Sequence, residues 1–104
     1  MEVYLKRRNS SANAVGEYNL ETGTMTVKKG SSISEDVCVS EKFRGAGPIL
    51  KLREQHCKGI IVKEDVLFSS ASTAANFVTG GSTNGLVAWR NSNGEKLRDI
   101  IKKK

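Results

Sequence analysis

Residues 66–81, VLFSSASTAANFVTGG, contain the clearest local structure in the chain. The first three residues are a short apolar run typical of a strand. Ser70 or Ser72 can then cap a helix, because a serine hydroxyl accepts a hydrogen bond from a free N–H group of the first turn. The apolar residues that follow at helical spacing are Ala74, Phe77 and Val78. Gly80 and Gly81 end the pattern, so this stretch predicts a strand followed by a short helix.

Upstream of this stretch, the pattern changes to alternation. Residues 2–8 and 14–20 each place apolar side chains at every second position, which is typical of strands with one buried face. Alternation resumes at Met25 and Val27 after a turn at residues 21–23. The second and third segments therefore predict a β-hairpin.

The middle of the chain is less regular. Residues 31–47 are polar and predict mostly loop, whereas Pro48 can open a helix that runs to about His56 and ends near Gly59. Residues 60–62 and 66–68 are two short β-type runs separated by three charged residues. A tight hairpin and one bent extended segment both explain them.

The last quarter predicts a turn at residues 82–85, an extended segment at 86–90 and a second turn at 91–94. Ser92 and Glu95 have the spacing of a capping box for a final helix. Its buried stripe would be Leu97, Ile100 and Ile101. The fold class is therefore α+β, with a small, mainly antiparallel sheet packed by two or three helices. We expect the core to include Phe77, Trp89, Leu97 and Ile100.

The bulk composition is that of one globular domain spanning residues 1–104. Apolar residues make up 38% and charged residues 27% of the 104 residues, and no apolar run approaches the length of a membrane span. The first eight residues are too charged for the apolar core of a signal peptide. Cys38 and Cys57 lack CxxC spacing and predict reduced thiols. We therefore expect a cytoplasmic protein.

No catalytic or metal-binding pattern is present. His56 is the only histidine, and with two scattered cysteines it does not form a zinc motif. The phosphate-binding glycine motifs are absent, and no carboxylates are paired at a spacing that indicates acid–base chemistry. We expect no enzyme activity, no metal and no cofactor, with His56 in a structural or solvated role.

The net charge of +6 favours a polyanionic partner, although it also serves solubility. Lys28 and Lys29 follow an alternating segment, where their side chains reach solvent. The hydroxyls at Ser70, Ser72 and Thr73 lie at a helix start, where free N–H groups attract anions, although ordinary capping also explains them. We expect Trp89 in the core; its alternative role is as a base-stacking platform.

Several of these motifs resemble known families. The segment from Phe68 to Ala75 and the residues Asn84-Gly85, Trp89, Gly94 and Leu97 resemble the RAMA domain, which is associated with restriction enzymes and adenine methylases. They also resemble a related domain family of unknown function that is often fused to GIY-YIG nuclease-like modules. Val27-Lys28-Lys29-Gly30-Ser31 is similar to the family's V-x-K-G-S, and Arg53 matches an arginine of its middle helix. Ala71 stands where the family has proline, and Leu86 where it has tryptophan.

The resemblance implies an accessory module that recognises DNA, including modified DNA, in a restriction-modification or defence system. A protein-interaction domain that docks onto a nuclease or methylase is the alternative. In the first case one contiguous basic surface, containing Lys28, Lys29 and Arg90 beside the helix start, would bind DNA. The candidate nucleic-acid-binding residues are Lys28, Lys29, Ser70, Ser72, Thr73, Ser82, Asn84 and Arg90.

Overall fold

The computed structural model describes residues 1–7, 10–35, 46–81 and 83–102. The strands are β1 (Glu2–Lys6), β2 (Asn13–Tyr18), β3 (Met25–Val27), β4 (Cys57–Lys58), β5 (Ile61–Val62) and β6 (Val66–Phe68). The helices are α1 (Ala46–His56), α2 (Ala71–Thr79), α3 (Gly85–Ala88) and α4 (Leu97–Lys102). The predicted α+β class is confirmed, with four helices in the described residues rather than two or three.

The main sheet is antiparallel and has the order β1-β2-β3-β6. The predicted hairpin is present, since β2 pairs with β3 and Gly23 adopts a positive φ of 76° in the turn. A second sheet consists of β4 and β5. Bridges from Ser32 to Asn13 and to Ile61 connect the two sheets.

The core lies between the main sheet and α2. Val3, Leu5, Met25 and Val27 point inward from the strands and are at most 1% exposed. Alternation places their neighbours on the opposite face of the sheet, which we call the outer face. Phe77 packs from α2 onto Phe68, with ring centroids 5.1 Å apart. The predicted burial of Phe77, Trp89 and Leu97 is confirmed, whereas Ile101 rather than Ile100 packs against the core cluster.

Two local predictions are wrong, and one open alternative is decided. Of the two arrangements proposed for residues 60–62 and 66–68, the hairpin is excluded, because β5 pairs with β4 and β6 pairs with β3. Gly59 lies in the turn between β4 and β5 with a φ of 62°, since α1 already ends at His56. Ser92 does not cap α4, which begins at Leu97.

The segment 86–90 is also not extended throughout, because residues 85–88 form α3. The side-chain oxygen of Asn84 accepts a hydrogen bond from the N–H group of Leu86 at 3.1 Å and so caps a helical turn. Only Trp89 and Arg90 continue in extended conformation, where Arg90 pairs with Tyr4 of β1. No helix in the described parts of the chain combines the length and apolarity needed to cross a membrane.

Candidate nucleic-acid interface

The hydroxyl groups at the start of α2 form hydrogen bonds inside the protein. The Ser70 side chain accepts from the N–H group of Thr73 at 3.2 Å, and the two hydroxyls lie 2.9 Å apart. The Ser72 hydroxyl accepts from the N–H group of Gly85 at 3.1 Å. This cluster therefore caps α2 and attaches α3 to it.

Trp89 and Gly85 complete the junction between α2 and α3. The indole N–H of Trp89 donates to the Ala71 carbonyl at 3.0 Å, and Trp89 is fully buried. A Cβ atom on Gly85 would overlap the backbone of Ala71 and Ser72, so only glycine fits there. Much of the Phe68–Leu97 motif thus determines how the helices pack. The predicted core position of Trp89 is confirmed.

Arg53 has a comparable role at the other end of α2. It is 8% exposed, and its guanidinium donates to the carbonyls of Phe77, at 2.8 and 3.0 Å, and of Ser34, at 2.9 Å. The bonds to Phe77 satisfy a carbonyl in the last turn of α2, which has no partner within the helix, and the bond to Ser34 joins a residue before α1 to the same site. Burial lowers the pKa of Arg53. Arg53 is therefore a structural residue that closes α2.

The outer face carries a row of cations that cross-strand pairing aligns. Arg90 lies directly opposite Tyr4, which lies opposite Val15. Lys28 continues the row, because its N–H group donates to the Val15 carbonyl at 2.8 Å. Lys96 extends the row at the other end by pairing with Arg90. Since directly paired residues share a face, Lys96, Arg90 and Lys28 point to the same side over roughly 19 Å.

Asp65 ends this row beside the two predicted lysines. Its carboxylate accepts from the N–H group of Lys29 at 2.7 Å and lies 3.3 Å from the ammonium of Lys28. The Lys29 N–H group and the Lys28 side chain lower the pKa of Asp65. Asp65 therefore partly neutralises Lys28, whereas Arg90 has no ion pair within the described residues.

A second row on the outer face adds charge. Lys6 pairs with Asn13, which forms a bridge to Ser32. Ser32 forms a bridge to Ile61, which pairs with Lys58. The opposite margin of the face is acidic. Glu17 contacts the N-terminal amine at 2.6 Å, and Glu2 accepts a hydrogen bond from the Tyr4 hydroxyl. The hydrogen bond to Glu2 raises the pKa of Tyr4.

A groove of about 590 Å³ opens beside Tyr4, between β1 and the segment 83–94. Its charged and polar lining residues include Tyr4, Lys6, Arg7, Asn84, Arg90 and Asn91. No acidic side chain is among the described residues that line it. The groove shares Tyr4, Lys6 and Arg90 with the outer face, so the two form one cationic surface, which we call the basic face.

The structure brings together part of the predicted set. Arg90 and Lys28 lie on the basic face, and Asn84 lines its groove. Lys29 lies next to Lys28, with its N–H group bound to Asp65. The register of β6 separates these lysines from the start of α2, because Val66 pairs with Val27 at one end and Phe68 with Met25 at the other.

The remaining predicted residues lie elsewhere. Ser70, Ser72 and Thr73 belong to the helix layer, on the side of the sheet that faces away from Lys28. Ser82 lies outside the described residues. Sequence reasoning missed Tyr4, Lys6 and Lys96 as members of the site. The Lys6-Arg7-Arg8 run was a signal for Lys6, but nothing local indicates that Lys96 joins it.

The described residues contain no group of three His, Cys, Asp or Glu side chains arranged to hold a metal ion. His56 Nδ1 lies 3.4 Å from a carboxylate oxygen of Glu64, next to the β4–β5 hairpin. Cys57 is a free thiol, whose pKa is raised by burial. Cys38 lies outside the described residues. Binding by cations and amides is the chemistry that the basic face offers.

The fold and this surface define a small α+β module with a cationic sheet face. A family model for a domain of unknown function, DUF4357, matches residues 3–101, and the chain belongs to that family. No curated protein and no solved structure matches the chain.

Proposed function

We propose that this protein is a non-enzymatic DNA-binding module that holds the phosphate backbone on its basic face. The alignment of Lys96, Arg90 and Lys28 on one side of the sheet carries this proposal. Lysine and arginine side chains bind phosphates and release counterions, which supplies most of the affinity of sequence-independent binding. The net charge of +6 acts in the same direction.

The biological context of the proposal comes from the resemblance to RAMA-like domains. It is an accessory role in a restriction-modification or defence system, in which the module recognises modified DNA for a nuclease or methylase. Asn84 is the groove residue suited to sense bases, because amide groups make paired hydrogen bonds with base edges.

The test is a salt titration of DNA binding with two charge-matched variants. The first combines Lys28→Ala, Arg90→Ala and Lys96→Ala on the basic face. The second combines Lys51→Ala, Arg98→Ala and Lys102→Ala, which are exposed residues on α1 and α4. Both variants lose three positive charges, so only the position of the lost charge differs.

We expect the basic-face variant to bind labelled DNA at least about tenfold more weakly in low salt, with a salt slope shallower by about 2–3 units. The helix variant should retain most of the affinity. Equal losses of affinity in the two variants would show that DNA binding depends only on net charge and would contradict a binding site on the basic face. Wild-type affinity in the basic-face variant would overturn the proposal.

A second candidate function is protein docking, and one observation favours it. Leu67 lies on β6, at the edge of the main sheet, and is 69% exposed. An exposed apolar residue on an edge strand is a suitable contact for an added strand or an apolar partner surface. Binding of a nuclease or methylase that Leu67→Glu abolishes, without any DNA affinity in the wild type, would favour this function.

A further inference from the structure

We propose that the groove beside Tyr4 holds one unpaired nucleotide, so that the protein prefers single-stranded or locally opened DNA over intact duplex. This inference rests on the proposed function and specifies its ligand. A volume of about 590 Å³ lies within the range of small-molecule sites. The groove is therefore large enough to hold a base and its sugar.

Tyr4 is the group that distinguishes unpaired from paired DNA. It is the only aromatic residue lining the groove in the described structure, and its side chain is partly exposed. Its hydroxyl bonds to Glu2 two residues back, so the ring lies along β1 instead of pointing straight into solvent. Stacking on this ring needs a free base face, and a base in an intact duplex has both faces covered by its neighbours.

The remaining groove residues match the other parts of a nucleotide. Arg90 and Arg7 are exposed cations at the groove, and a phosphate is their natural partner. The Asn84 oxygen is held by the N–H group of Leu86, which fixes the side chain and leaves its two N–H donors for acceptors on a base edge. The described lining contains Lys6, Arg7 and Arg90 and no carboxylate. The carboxylates of Glu2 and Glu95 reach its edge, where they accept hydrogen bonds from Tyr4 and Asn91.

The experiment compares three labelled DNAs by fluorescence anisotropy: a mixed-sequence single strand, its perfect duplex, and the same duplex with one unpaired nucleotide in the middle. We expect the single strand and the bulged duplex to bind at least about tenfold more tightly than the perfect duplex. If only the single strand binds more tightly than the perfect duplex, the groove binds nucleotides of free strands. If the bulged duplex also binds more tightly, the groove accepts a base that is displaced from a duplex.

Tyr4→Leu should reduce the ratio of single-strand to duplex affinity towards one. Tyr4→Phe should keep the wild-type ratio, because phenylalanine retains the aromatic ring. Leu50→Ala, which removes an exposed apolar side chain from α1, is the control and should leave the ratio unchanged. Equal binding of the three DNAs by the wild type would overturn this inference and leave phosphate binding by the basic face intact. An unaltered ratio in Tyr4→Leu would also overturn it. Failure of the proposed function would be recognised by a different result, namely wild-type DNA affinity in the variant that lacks Lys28, Arg90 and Lys96.

Discussion

Two polar regions of this molecule invite a functional interpretation, and the structure uses them differently. The start of α2, with Ser70 and Ser72, is the more conspicuous in sequence, yet its hydroxyls cap the helix or bind the backbone of α3. The basic face consists of ordinary charged residues from distant parts of the chain, and the exposed Arg90 there has no ion pair among the described residues. A recognisable motif can thus specify packing while the binding groups come from other parts of the chain.

The largest effect on stability is expected from a substitution that disrupts the junction between α2 and α3. Gly85→Ala should destabilise the protein by about 3 kcal/mol or more, because the added methyl group overlaps backbone atoms of Ala71 and Ser72 that cannot rotate away. Gly47→Ala is the control, since a Cβ there meets no atom within 4 Å. We expect that variant to stay within about 1 kcal/mol of the wild type. Chemical denaturation measures both, and similar stabilities for the two variants would show that the junction is not tightly packed.

A smaller effect separates capping from ligand binding at the start of α2. Ser70→Ala should cost about 1 kcal/mol, because the N–H group of Thr73 loses its acceptor. Ser69→Ala, at an exposed neighbouring position, should cost much less. Neither variant should change DNA affinity once both are shown to be folded. A large loss of DNA binding in folded Ser70→Ala would return the helix start to the binding surface.

The smallest effect concerns the acidic end of the cation row. Because Lys29 and Lys28 hold the pKa of Asp65 below its ordinary value, the contact stabilises the folded protein above the unfolded pKa of about 3.9. That contribution is lost as the pH falls through the lower folded pKa. Asp65→Asn should therefore be slightly less stable than the wild type at neutral pH, and the difference should vanish in strong acid. Thermal melts across this pH range measure it, and a difference that grows in acid would contradict the assigned ion pair.

The same substitution should also change DNA binding. Asp65→Asn leaves Lys28 without its carboxylate partner, so the basic face gains one positive charge. We expect DNA affinity to rise modestly at low salt and this gain to fade as salt screens the charges. Weaker binding would indicate that Asp65 itself contacts the ligand.

Much of the fold was predictable because its signals are local. The alternation of β1 to β3 and the helix that ends at Gly80 were correctly predicted, and of the two serines proposed as its cap the structure uses Ser70. The segment 86–90 failed, because Leu86-Val87-Ala88 has β-type side chains but Asn84 and the contact of Gly85 with α2 impose a helical turn. The pairing of β6 with β3 also depends on contacts between distant residues.

The candidate site was predictable only in part, for the same reason. Lys28 and Arg90 were proposed from their solvent-facing positions, and Asn84 from its motif. Their relation to Tyr4 and Lys96 depends on the pairing of Arg90 with both residues, one of them more than 80 positions away in the chain. No local pattern encodes that pairing.

The most direct test of DNA binding by the basic face is an amide chemical-shift titration of the folded protein with a short single-stranded DNA. We predict that the perturbed signals cluster on the basic face, at Tyr4, Val15, Lys28, Arg90 and Lys96, and fade as salt is added. The signals of Ser70 to Thr73 should stay in place, since their hydroxyls cap α2 or bind the backbone of Gly85. Perturbations centred on Ser70 to Thr73, with the basic face unchanged, would contradict DNA binding by the basic face.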